Sequence, residues 1–146
     1  KSLATAWHPA YVDPATPGLR TGIRIDGAGA GTIVRRNTVD RSLSRGMLLV
    51  DSDGLKVRSN VLDPIFDVGM EVSGVTGSTI ADNTSFTSIN EGILVQATST
   101  GNTFSGNATR GGSYGCYDAS TGAGTKGTAN TWTDNTGFGD PVGICG

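Results

Sequence analysis

The sequence predicts an all-β solenoid of about five coils, each built from three short strands, and three periodic patterns carry that reading. Gly22, Gly46, Gly69, Gly92, Gly115 and Gly143 recur at steps of 24, 23, 23, 23 and 28 residues. The first four of them open strands of one form: Gly-Ile-Arg-Ile, Gly-Met-Leu-Leu, Gly-Met-Glu-Val and Gly-Ile-Leu-Val. Asn37, Asn60, Asn83, Asn107 and Asn135 keep the same beat, 14 or 15 residues behind their glycine in four coils and 20 in the last. Three residues ahead of each asparagine stands an apolar residue: Val34, Val57, Ile80, Phe104 and Trp132. Units with this pattern bury their apolar faces only against their neighbours.

The first strand of each coil follows its glycine, because alternation with period 2 puts Ile23/Ile25, Met47/Leu49, Met70/Val72, Ile93/Val95 and Cys116/Asp118 on one inward face. Only the last pair is not wholly apolar. The second strand carries the Val34 to Trp132 column. A third, weaker inward set lies five or six residues after the asparagine, at Leu43, Ile65 or Phe66, and Ile89. Successive coils run in the same direction, so each strand pairs with its copies at about 4.8 Å and five coils span about 24 Å. The asparagines fall where the chain turns between sheets, and their amides are suited to bonding neighbouring backbone and one another. Asn83-Thr-Ser and Asn107-Ala-Thr fit the glycosylation pattern, but a turn that buries the amide opposes modification.

Residues 1–21 lack the glycine start and ladder asparagine and contain Pro9, Pro14 and Pro17, so they are expected to form an N-terminal linker or cap. Trp7, Tyr11 and Val12 suit covering the open end of the core. Residues 22–142 hold the coils, and 143–146 a C-terminal cap. The last coil is lengthened by five residues through Gly122-Ala-Gly-Thr-Lys-Gly127, and Trp132 is its plug.

The chain of 146 residues suffices for one domain with a real core. Its net charge of −2 conceals an asymmetry: residues 1–58 hold nine of the eleven Lys and Arg, and 59–146 hold eight of the thirteen acids. No apolar run approaches the roughly 18 residues that cross a bilayer. Cys116 and Cys145 both lie in the final coil, where pairing would close a loop of about 30 residues and place the protein in an oxidising compartment; two reduced thiols are the alternative.

Inward positions are committed to packing, so function is sought on the outward ones. On the first sheet these include Arg24/Asp26, Leu48/Val50, Glu71/Ser73, Leu94/Gln96 and Tyr117/Ala119. Leu48, Val50, Leu94 and Tyr117 form an apolar contact face for a protein partner or a second copy. On the second sheet Arg35, Lys56 and Arg58 cluster across two coils, a set suited to a carboxylate or an anionic polysaccharide. Asp51-Ser-Asp53-Gly54 holds the one tight acidic pair, a candidate for Ca2+ with Arg24, Lys56 or Arg58 beside it, and equally an ordinary Asp-Gly turn. Asp26 and Glu71, two coils apart, are a marginal carboxylate pair for an inverting hydrolase. His8 stands alone as the sole histidine. No phosphate loop, Gly-x-Ser-x-Gly or nucleic-acid signature occurs. Gly27-Ala-Gly-Ala-Gly31 has no helix after it and is a turn.

The Gly-apolar-x-apolar start, the apolar-x-x-Asn turn and the coil length together resemble the right-handed parallel β-helix, or pectate lyase-like, superfamily across residues 22–142. The closing stretch from Cys116-Tyr-Asp-Ala-Ser-Thr-Gly through Asn135-Thr-Gly to Pro141-Val-Gly-Ile-Cys145 is similar to the last coil of secreted actinobacterial β-helix repeat proteins. That resemblance implies a bridge between the two cysteines. Catalytic members of the superfamily build a groove from inserted loops, which coils of 23 or 24 residues do not accommodate, so no catalytic residue and no metal ligand is assigned. The expected role is an extracellular module for binding, stalk or assembly within a larger secreted or cell-surface protein, without membrane insertion or nucleic acid. The alternative is a polysaccharide lyase, hydrolase or epimerase.

Overall fold

The structure, a computed structural model, describes residues 21–146. The expected cap, with Trp7, Tyr11 and Val12, and the lone His8 lie outside the described residues. The first coil contains β1 (Ile23–Asp26), β2 (Ile33–Arg35) and β3 (Thr38–Val39). The second contains β4 (Met47–Val50), β5 (Lys56–Arg58) and β6 (Val61–Leu62). The third contains β7 (Met70–Ser73), β8 (Thr79–Ala81) and β9 (Thr84–Ser88), and the fourth β10 (Glu91–Val95), β11 (Thr103–Ser105) and β12 (Ala108–Gly111). The fifth has β13 (Tyr114–Asp118) and β14 (Thr131–Thr133), after which β15 (Gly139–Asp140) returns to the first sheet. Three sheets result, β1-β4-β7-β10-β13-β15, β2-β5-β8-β11-β14 and β3-β6-β9-β12, with parallel pairing throughout. This is a parallel β-helix with three strands per coil.

The core is a set of columns. Val34, Val57, Ile80, Phe104 and Trp132 are register partners in the second sheet and are 5% exposed or less. Phe104 and Trp132 stack with centroids 4.1 Å apart. In the first sheet Met47 pairs with Met70 and Leu49 with Val72, all fully buried. The third sheet begins apolar at Val39 and Leu62 and becomes polar at Ser85 and Thr109, which are equally buried. The glycine column faces this sheet at close range. A Cβ on Gly69 would fall on Ser85 Oγ, and one on Gly92 would lie 2.8 Å from Thr109 Cβ. The corner therefore needs a residue without a side chain.

The asparagines form a continuous amide ladder. Each Oδ1 accepts from the backbone N and the Nδ2 of the asparagine one coil earlier, at 2.8 to 3.1 Å, from Asn37 through to Asn135. Each Nδ2 from Asn60 onward also donates to the carbonyl of a core residue, Val34, Val57, Ile80 and Phe104 in turn. Asn83 and Asn107 are thus buried with their amides in use. A second ladder, absent from the sequence reading, runs five residues ahead of the first. Leu55 N donates to Ser78 Oγ, Ser78 N to Asn102 Oδ1, and Asn102 N and Nδ2 to Asn130 Oδ1.

Two expectations are corrected. Of the expected third inward set, Leu43, Ile65 or Phe66, and Ile89, only Ile65 is buried; Leu43, Phe66 and Ile89 are 49%, 50% and 58% exposed. The inward positions lie one residue earlier, at Ser42, Ile65 and Ser88, which are bridged coil to coil. A one-residue slip reverses every face of a strand, and the short third strands end too soon to hold the frame. Gly143 also leaves its column. The position beneath Gly115 belongs to Phe138, whose carbonyl accepts from Gly115 N at 2.8 Å.

Candidate functional site on the first sheet

The outward row of the first sheet is Arg24, Leu48, Glu71, Leu94, Tyr117 and Asp140, one residue per coil in continuous register. Glu71 sits at its middle between two leucines and is only 7% exposed. Burying a carboxylate there is costly unless both oxygens are bonded. Arg45 Nε donates to Glu71 Oε2 in a short ion pair, and Gln96 Nε2 donates to Oε1 at 2.9 Å. Arg45 reaches the row from the turn before β4, where its Nη1 also donates to Ser44 Oγ at 3.1 Å.

Beside this network lies a second glutamate. Glu91 opens β10 and is the register partner of Tyr114. Its pKa is raised above the ordinary glutamate range, first by partial burial and then by the negative charges of Asp67 and Glu71, against a lowering contribution from its own backbone N–H. Asp67 accepts from Asn90 Nδ2 at 2.6 Å. The lower end of the face is aromatic. Tyr114 stands 5.6 Å from Tyr117 and 5.6 Å from Phe138, nearly parallel to the latter, and Phe138 is 64% exposed. One surface thus joins ring faces to a guanidinium, an amide and two carboxylates. That combination suits ligands with both apolar C–H faces and hydroxyls.

The residues expected at function are distributed over three places. Leu48, Val50, Leu94 and Tyr117 share the first-sheet face but are half-buried, and Glu71 interrupts them. Arg24 is at the upper end of this face, where its Nη2 bonds Asp26 at 2.6 Å, so Asp26 and Glu71 each have their own cation. Asp51 and Asp53 lie in the turn between β4 and β5, where Asp53 Oδ1 accepts from Thr76 Oγ1 at 2.9 Å. Arg35, Lys56 and Arg58 occupy the outer face of the second sheet. Arg45, Glu91, Asp67, Tyr114 and Phe138 were missed. The signal was present for two of them, since Glu91 and Tyr114 are spaced by one coil length immediately before successive ladder glycines.

The fold and this surface define a parallel β-helix with an amphipathic outer face on its first sheet. The chain belongs to the NosD family: residues 3–143 match the family described as periplasmic copper-binding protein (NosD). No curated protein and no solved structure shows a significant match. Copper favours thiolate, thioether and imidazole ligands. Here Cys116 and Cys145 are joined in a disulfide, and Met47 and Met70 are fully buried. No group of three or more His, Cys, Asp and Glu suited to a metal occurs among the described residues. These residues do not fit a copper centre.

Proposed function

We propose that this chain is an exported β-solenoid module that binds glycan through the outer face of its first sheet, within a larger periplasmic, secreted or cell-surface protein. The observation that carries the reading is the adjacency of Tyr114, Tyr117 and Phe138 to the Arg45–Glu71–Gln96 network and Glu91. Ring faces meet the C–H surface of a pyranose, and the fixed polar groups meet its hydroxyls. The disulfide and the family's periplasmic description support export to an oxidising compartment. The test is retention of the protein on a panel of immobilised neutral polysaccharides. Tyr114→Ala/Tyr117→Ala is expected to weaken binding by about tenfold or more with little change in melting temperature. Retention by no glycan, or undiminished retention of that variant, refutes the reading.

A hydrolytic form of the proposal has one observation in its favour. Glu91 is held toward its protonated form beside Glu71, which is ion-paired to Arg45, and two neighbouring carboxyl groups in unlike environments are the arrangement glycoside hydrolysis uses. Release of reducing ends from a bound glycan that disappears in Glu91→Gln, with binding retained, distinguishes the enzyme from the binding module.

A further inference from the structure

The second sheet presents a different surface. Arg35 and Arg58 are direct register partners on adjacent strands, and Lys56 lies two residues before Arg58 on the same outward face. Arg36, at the turn that follows β2, extends the group and holds a left-handed backbone, φ 56°. All four are exposed. Equal charges directly opposed on neighbouring strands oppose pairing. The ion pairs among the described residues, Arg24–Asp26, Arg41–Asp40 and Arg45–Glu71, include none of the four. The acids in the adjoining turn file, Asp82 and Asp134, stand in the third and fifth coils and form no ion pair among the described residues.

Below the cations the same two outward files continue as hydroxyls, interrupted at Ala81. Lys56 is followed by Thr79, Thr103 and Thr131, and Arg58 by Ala81, Ser105 and Thr133, in unbroken register. The strip steps by about 4.8 Å per coil along the solenoid axis and carries side chains at about 6.6 Å spacing along each strand. We infer that this strip is a second binding surface, separate from the first-sheet face, that takes a linear carboxylated polysaccharide along the axis, its carboxylates on Arg35, Arg58 and Lys56 and its hydroxyls on the threonine file. Guanidinium forks match carboxylates two bonds at a time, which orients the chain as well as attracting it. The strip holds no aromatic residue on which bases would stack, and Ile33 is its one large apolar side chain, too little to enter a bilayer.

Affinity electrophoresis in gels containing polygalacturonate, with dextran as the neutral control, tests the inference. Polygalacturonate is expected to retard the protein, less so as salt is raised. Arg35→Ala/Arg58→Ala is expected to weaken binding by about tenfold or more without lowering the melting temperature, and Arg35→Lys/Arg58→Lys to lose part of the binding. Val61→Ala, on the exposed face of the third sheet and outside both surfaces, is expected to leave polygalacturonate binding intact. No retardation by polygalacturonate, wild-type retardation of the double alanine variant, loss of binding in Val61→Ala, or stronger binding to phosphatidylglycerol vesicles or single-stranded DNA would overturn it.

Discussion

At the scale of single residues, the outward carboxylates behave according to their partners. Glu71 is buried and doubly bonded, while Glu91 is partly buried among Asp67 and Glu71 and is therefore harder to ionise than a free glutamate. A glutamate pKa raised by folding means that folding favours the protonated form. Its contribution is fully present below the ordinary value of about 4.5 and is lost as pH rises through the higher folded value. Glu91→Gln is accordingly expected to melt higher than the wild type near neutral pH, with the difference shrinking as pH falls through the carboxylate range. Thermal melts of both proteins from pH 7 to pH 4 check this. Asp118 shows the opposite solution. It points inward among apolar neighbours, yet it accepts from Ser120 N and Oγ, Asn130 Nδ2 and Trp132 Nε1, at 2.6 to 3.1 Å. The sequence marks Asp118 as the one acid on an inward face, but its donors come from residues up to 14 positions away and only the closed coil assembles them.

At the scale of elements, the two amide ladders hold the turns. Removing Asn83 deletes the acceptor for Asn60 N and Nδ2 and the donor to Val57 O, all buried. Each orphaned buried group costs about 1–3 kcal/mol, so Asn83→Ala is expected to lose about 3 kcal/mol or more. Asn37 stands half-buried at the head of the ladder and, among the described residues, donates only to Asn60 Oδ1, so Asn37→Ala is expected to cost about 1 kcal/mol. Urea unfolding of the two variants compares them, and equal losses would contradict the ladder's role. The first and second strands and the first ladder were legible in sequence because apolar alternation and asparagine recur at a fixed beat. The second ladder was less so, since Ser78, Asn102 and Asn130 share geometry without sharing identity. At the third strands Ile65 or Phe66 stood open and Ile65 is the buried one, whereas Leu43 and Ile89 face outward, because Leu43, Phe66 and Ile89 form an apolar column as regular as a buried one.

At the scale of the molecule, a solenoid is held coil to coil, and its ends are its weak points. The lower end is closed by several devices together. Trp132 stacks on Phe104, Ile144 is 3% exposed, and the Cys116–Cys145 disulfide ties β13 to the last residues across a separation of 29. Closing a loop of that length is worth about 3–4 kcal/mol in chain entropy. Cys116→Ser/Cys145→Ser is therefore expected to lower the melting temperature and, in hydrogen exchange, to expose the fifth coil before the second. Uniform loss of protection across all coils would count against an end-specific role.

The sequence by itself determined the repeat, the two inward columns of the first and second strands, the asparagine turns and the cation cluster, because periodic residues one coil apart must lie over one another. Only the tertiary structure decided which face the third-strand apolar residues take and which polar side chains meet. Arg45, Glu71, Gln96, Glu91 and Tyr114 come from four successive coils, the second to the fifth, and adjoin because winding stacks those coils, and the sense and reach of a side chain at a corner depend on backbone turns that no periodicity encodes.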